Sequence, residues 1–242
     1  MRRQWVISDI HGCYKTLKTL LEDRIVVTDE DSLFFLGDYI DKGDNNKEVL
    51  DYLLNLERSS IHCVFLRGNH EDYCLKAYDE EKELIPDECN FYSNVRLMEW
   101  FSHGGLKTLM SFNTQAVEKI PSLYINWMRQ LQYYIELDKF LLVHAGFNCN
   151  MQDIFEDKNY MLYSKECTVD KVKTKGKIVV HGHVPLKINN IISQFDQKEK
   201  CFNIYLDNGV YMKDIIGFGN LIALELNTFE IVIQPCIDKI VD

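Results

Sequence analysis

No two of the eight cysteines (13, 63, 74, 89, 149, 167, 201 and 236) stand at C-x-x-C spacing, which excludes a local zinc clip or dithiol motif. They read as buried thiols kept reduced. No apolar run approaches the roughly 18 residues of a membrane helix. The opening Met1-Arg2-Arg3 leads through a short apolar stretch into a charged motif, so neither a signal peptide nor an anchor is expected. The expected location is the cytoplasm. Excess positive charge is also missing: the formal net charge is -10, which gives no electrostatic footprint for a nucleic-acid backbone. Neither nucleic acid nor membrane is an expected partner. Repeats, low-complexity tracts and linkers are absent too, so residues 1–242 are expected to form one domain, within the roughly 200–250 residues a single sheet-and-helix domain reaches. Hydrophobic residues at 46% and charged residues at 26% are ordinary for a soluble enzyme.

What is present is a repeated arrangement. Five of the seven histidines sit at or just past the end of a short apolar run, mostly beside aspartate, asparagine or glycine. In order the motifs are S-D-I-H-G (from Ser8), G-D-Y-I-D-K-G (from Gly37), R-G-N-H-E (from Arg67), V-H-A-G (from Val143) and H-G-H-V-P (from His181). Hard oxygen donors and imidazoles delivered from strand ends suit a divalent-metal site. Asp9 and His11, two residues apart, point the same way in extended backbone and can share one cation. Asp38 has two oxygens to bridge two cations, while Asp41 is placed to orient an imidazole. Asn69 offers an amide oxygen to a metal, His70 a proton near neutral pH, and Arg67 a two-pronged grip on phosphate. Alone, each piece has a plainer explanation: a helix cap for Asp9, an Asx-turn for Asp38 and Asp41, a satisfied polar residue for His144 or His183. His62 and His103 lack such company and read as structural.

The periodicity places these motifs on an α/β frame. Residues 4–8, 33–36 and 61–66 read as buried strands. Helical spacing follows at Tyr14, Leu17, Leu20 and Leu21, and again at Val49, Leu50, Leu53 and Leu54 behind a capping box Asn45-x-x-Glu48. Three strand-loop-helix units predict a parallel sheet whose carboxyl ends share one rim. Residues 80–130 read as a helical insertion. Further strands are expected at 132–137, 139–143, 177–180, 188–195, 201–206, 221–226 and 229–234, making a second sheet that faces the first.

In this order the motifs resemble those of the calcineurin-like metallophosphoesterases, and most closely the phosphoprotein phosphatase branch in its compact bacterial and phage form. The resemblance runs from Asp9 to Pro185 and, through residues 206–226, covers most of the chain. It implies two facing mixed β-sheets flanked by helices and two divalent metals, manganese first, with iron or zinc as alternatives. One metal would lie on Asp9, His11 and Asp38, the other on Asp38, Asn69, His144 and His183. It also implies direct attack on phosphorus by a metal-activated hydroxide, His70 protonating the leaving alkoxide, Asp41 holding the His70 ring and Arg67 clamping phosphate. His181 would stand behind the ligands. Two departures occur: Lys42 replaces the arginine of D-R-G, and Lys165, in Leu162-Tyr163-Ser164-Lys165, replaces that of L-W-x-R. Lysine keeps the charge for phosphate binding but loses the fork.

The activity so implied is that of a serine/threonine protein phosphatase acting on phosphorylated proteins or small phosphoesters. A symmetrical bis(5'-nucleosyl)-tetraphosphatase is the alternative within the family. A non-catalytic metal-binding scaffold is the alternative outside enzymes, though every ligand position and the His70–Asp41 pair is retained.

Overall fold

A computed structural model describes residues 2–83, 94–195 and 202–240. Strands β1 (Gln4–Ile7), β2 (Ser32–Phe35) and β3 (His62–Phe65) run parallel, as the three strand-loop-helix units predict. A second sheet holds β4 (Tyr134–Glu136), β5 (Phe140–Val143), β6 (Ile178–His181) and β7 (Asn203–Tyr205) in that order. Within it β5, β6 and β7 are parallel and β4 is antiparallel to β5. The last two strands, β8 (Asn220–Glu225) and β9 (Ile231–Pro235), are expected in the second sheet; instead β8 pairs with β1 and β9 with β8, completing the first sheet in the order β3-β2-β1-β8-β9.

Alternation of side chains across each strand sets the layers. Val6 and Phe34 face the gap between the sheets, where they meet Leu142, Val180, Ile204, Ile222 and Leu224. Their neighbours Trp5, Ile7, Leu33 and Phe35 point the other way, onto Leu17 and Leu50. Those two leucines come from helices α1 (Tyr14–Thr19), which continues as a π-helical turn to Ile25, and α2 (Asn46–Glu57). On the outer face of the second sheet, Leu141, Val143 and Val179 pack with Phe147 and Met161. Each fully buried side chain of this size contributes roughly 1.5–3 kcal/mol, so the three clusters dominate stability.

The helical region expected at 80–130 holds α4 (Val95–Ser102), α5 (Gly105–Ser111) and α6 (Ser122–Gln130), while α3 (Asn69–Glu83) lies mostly before it and starts inside the R-G-N-H-E motif, which gives no helix signal. Residues 84–93 of the expected insertion, and Cys89 and Cys201, lie outside the described residues. Two shorter helices follow, α7 (Lys158–Tyr163) and α8 (Ile188–Ser193). The latter corrects the strand expected at 188–195. Ile188, Ile191 and Phe195 fall at helical spacing and pack on the inter-sheet core, while Ile192 is exposed. The capping box at Asn45 does not form either. Asn45 precedes α2 but its Nδ2 donates to Asp238 Oδ1 at 3.2 Å. Asp238 also accepts the Lys15 and Thr16 N–H groups at 3.0 and 2.9 Å, capping α1 from the far end of the chain. Among the described residues no helix is long and apolar enough to cross a membrane.

Candidate metal centre

Strand ends deliver the site. Asp9 and His11 follow β1, Asp38 follows β2, Asn69 and His70 follow β3, His144 follows β5, His183 follows β6 and Asp207 follows β7. Parallel neighbours within each sheet bring these ends to a common rim, where ligands collect in open α/β sheets. The loops interlock: Ile10 and His11 N–H donate to the Asp38 carbonyl at 3.0 and 2.9 Å, and Gly182 N–H donates to that of His144 at 2.9 Å. Left-handed backbone concentrates here, with φ of 46° at His11, 52° at Asp38 and 70° at His183. Side chains bear such strain only where their surroundings enforce it, commonly at functional sites.

Asp38 is the hub. Its Oδ1 accepts the His70 N–H at 3.1 Å and lies 3.4 Å from His144 Nε2. Its Oδ2 lies 3.5 Å from His11 Nε2 and 3.8 Å from His70 Nε2. Asn69 Oδ1 is 2.9 Å from both His144 Nε2 and His183 Nδ1, which are 3.1 Å apart. Asp9 joins through Oδ2, which accepts the His183 N–H at 3.0 Å, while its buried Oδ1 has no partner. Gly68 and Gly182 admit these carboxylates, since a β-carbon at either position would collide with Asp38 Oδ1 or Asp9 Oδ1. The Nδ1 atoms of His11 and His144 face the carbonyls of Ile40 and Leu36, each at 3.0 Å, which fixes their tautomers and turns Nε2 inward.

Electrostatics test whether these groups fit a cation. Burial, then the charge of Asp207, pushes the Asp9 carboxyl well above its ordinary range, and burial with Asp9 does the same to Asp38. Burial also raises Asp207 to about 7 and lowers His183 to about 4. The His11 and His144 imidazoles are held well below their usual value, again by burial first. Neutral rings and an amide oxygen thus aim lone pairs at one another across about 3 Å, beside an unpartnered carboxylate oxygen. Such a set is costly when bare and resolved by divalent metal, and its mixture of oxygen and imidazole donors suits manganese, iron or zinc. Asp9, His11 and Asp38 are available to one ion; Asp38, Asn69, His144 and His183 are available to another. Candidate ligand atoms of Asp38, His144 and His183, and of Asp38, His11 and His70, lie within 4.8 Å of one another.

Beside the cluster stands an acid pair. His70 Nδ1 lies 2.7 Å from Asp41 Oδ2, which also accepts the Trp100 Nε1–H at 2.9 Å, and Asp41 Oδ1 accepts the Thr108 hydroxyl at 2.5 Å. Burial raises Asp41 to about 7, against the pull of the Thr108 and Trp100 hydrogen bonds. His70 lines a cavity of about 380 Å³ together with Asp38, Asn69 and His183. Lys42 and Lys165 line it as well. Arg67, expected on the phosphate, does not. Its guanidinium donates to the carbonyls of Met128 and Arg129 at 3.2 and 2.8 Å and to the Tyr133 hydroxyl at 2.9 Å, tying β3 to the end of α6.

Several residues to which the motifs assign no role also shape the site. Asp207, whose Oδ1 accepts the Gly209 N–H at 2.7 Å, lines the cavity, and its charge reaches Asp9. Glu71 accepts four backbone N–H groups, from Asp38, Tyr39, Ile40 and Gly68 at 2.8–3.3 Å, and so clamps the loop that carries Asp38. His103, read as structural, lines the cavity stacked on Tyr73 with ring centroids 4.3 Å apart. His62 is exposed and does not line the cavity, and His181 is buried with its ring edge-on to Tyr205 at 4.1 Å. Tyr211 closes the near side, edge-on to His11 at 5.0 Å.

The sequence pattern of the calcineurin-like phosphoesterases matches residues 2–212. The chain belongs to that family. Among curated proteins it is 28% identical over 181 residues to a Buchnera aphidicola protein named symmetrical bis(5'-nucleosyl)-tetraphosphatase, covering 67% of this chain and 55% of that protein. It is 27% identical over 175 residues to serine/threonine-protein phosphatase 2 of Salmonella typhimurium, covering 71% and 66%. The chain thus spans between about half and two thirds of the curated relatives it matches. A metallophosphoesterase from Sphaerobacter thermophilus shares the fold, with a TM-score of 0.54 at 14% identity over 98% of this chain and 89% of that one.

Proposed function

We propose that this family member is a metal-dependent phosphoester hydrolase acting first on phosphoserine and phosphothreonine in proteins. One observation carries the reading: a buried imidazole, His70, held by Asp41 at 2.7 Å, opens on the same cavity as the cluster of Asp38, Asn69 and His183. Two divalent cations, manganese first, would screen phosphoryl oxygens and bring the pKa of a water towards neutrality. Asp9, His11 and Asp38 would hold one, and Asp38, Asn69, His144 and His183 the other. His70 passes the proton on Nε2 to the departing alkoxide, while Asp41 orients the ring through Nδ1. Trp100 and Thr108 hold Asp41 in place and act only through it. Lys42 and Lys165 bring positive charge to the non-bridging phosphate oxygens, each as a point charge rather than a fork. The cytoplasm is the compartment this reading assumes.

The name of the Buchnera relative, and the stacked Tyr73–His103 wall on which a base can lie, support dinucleoside tetraphosphate as the second substrate class. Hydrolysis rates for a phosphoserine peptide and for diadenosine tetraphosphate, measured on the manganese-loaded protein, separate the two. A peptide preference is expected. A preference of orders of magnitude for the dinucleotide would reverse the order, and no turnover of either would favour a binding scaffold.

A further inference from the structure

We propose that Cys13 and Cys236 form a reversible redox site, in which a hydroperoxide oxidises Cys236 and Cys13 closes the bridge. Their sulfurs are 4.0 Å apart, so closing to the roughly 2.05 Å of a disulfide moves them by about 2 Å in all. Nothing large must rearrange, because both ends are already anchored together. Ile237 N–H donates to Thr16 Oγ1 at 3.0 Å, Asp238 caps α1, and Cys236 N–H donates to the Gly219 carbonyl at 2.8 Å. Cys236 is partly exposed and meets the oxidant, while Cys13 is fully buried behind it.

The surroundings favour thiol chemistry over a third metal position. Asp238 approaches both sulfurs. Its two oxygens, however, are spent on Lys15 N–H, Thr16 N–H, the Thr16 hydroxyl and Asn45 Nδ2, leaving none for an ion. Burial raises the thiols of Cys63 and Cys167 to about 12 and 11, which makes them poor nucleophiles. Cys236 goes the other way, to about 7, chiefly through its contact with Cys13.

The chemistry balances. The Cys236 thiolate attacks one peroxide oxygen, the O–O bond breaks, and sulfur becomes sulfenic acid as the other oxygen leaves and takes up the proton the thiol released, as water or alcohol. The Cys13 sulfur then attacks the sulfenic sulfur, the S–O bond breaks, and the departing hydroxide takes the Cys13 proton as a second water. Two thiols and one hydroperoxide thus yield a disulfide. Bridging draws Cys13 Sγ from its 3.6 Å contact with the His11 carbonyl. It therefore pulls on the left-handed His11-Gly12 turn, where φ is 46° and 66°.

The full chain is treated with hydrogen peroxide, its remaining thiols are blocked, and peptides are mapped without reductant. A Cys13–Cys236 linked peptide that disappears with dithiothreitol is expected. In Cys13→Ser the Cys236 sulfenic acid should persist and be trapped by dimedone, and in Cys236→Ser Cys13 should stay reduced. Cys236 staying reduced, pairing with another cysteine, or passing to sulfinic acid while Cys13 is present would overturn the site. Metal content reads the pull on His11: the bridged form should hold less than the reduced form and recover it on reduction. Equal metal in both forms would overturn that coupling, whatever reaction the chain performs.

Discussion

Replacing Asp41 by asparagine isolates the acid pair, because it removes a charge and almost no volume. The asparagine oxygen can still accept from His70 Nδ1 and Trp100 Nε1, and its amide nitrogen can donate to the Thr108 hydroxyl, the partners that hold the native side chain at 2.5–2.9 Å. The fold and the metal ligands should survive. What changes is the partner of His70: a hydrogen bond to a charged group is worth about 1.5–3 kcal/mol and a neutral one about 1. The loss of about 0.5–2 kcal/mol corresponds to roughly a 2- to 30-fold lower kcat where the leaving group needs a proton. Steady-state kinetics on a phosphoserine peptide should show that drop. An aryl phosphate with an acidic phenol, which departs unaided, should lose little. His70→Ala should lose about a hundredfold or more on the peptide at unchanged metal content. Equal losses on both substrates, or loss of metal in either variant, would refute the acid assignment.

Three further outcomes follow from single contacts. Lys42→Met should raise KM for phosphopeptide, whereas Arg67→Met should leave KM near wild type and lower Tm, since Arg67 joins α6 to β3 and does not line the cavity. A KM rise confined to Arg67→Met would contradict the placement. Gly182→Ala should weaken metal binding by driving a β-carbon into Asp9 Oδ1, and wild-type metal affinity by titration calorimetry would count against that contact. At Asp31, burial pushes the carboxyl up, but the Arg3 hydrogen bonds at 2.7–2.8 Å and the Thr28 N–H pull it further down, below its ordinary value. A depressed carboxyl stabilises the fold above its unfolded pKa of about 3.9, and that stabilisation fades as pH falls through the folded value. Asp31→Asn should therefore lower Tm at pH 7 and match wild type near the acid limit; a constant difference at all pH values would exclude this linkage.

The frame was legible because it is local. An apolar run ending in Asp-x-His-Gly, then leucines at helical spacing, specifies strand, turn and helix within some twenty residues, and three such units force a shared rim. The partner of β8 was not legible. Residues 221–226 read as a strand, but pairing with β1 more than two hundred residues earlier depends on long-range packing, which a local pattern does not carry, so the pattern alone assigns the strand to the other sheet. Residues 188–195 were misread because a run of isoleucines has high strand propensity, whereas their spacing matched a helix face. At the site, ligand types and order could be read, but not direction: Arg67 and Asn69 are two residues apart, yet one turns to α6 and the other to the cluster. Asp207, Glu71 and His103 escaped notice because each acts through neighbours brought by the fold. Of the three only Glu71, in R-G-N-H-E, stands inside a motif.

Elemental analysis of manganese-reconstituted protein tests the convergence on Asp38 most directly. Two ions per chain are expected for the wild type, about one for His183→Ala, and near none for Asp38→Ala, which removes the oxygens facing both positions. Two ions retained in Asp38→Ala, or none bound by the wild type, would contradict the account.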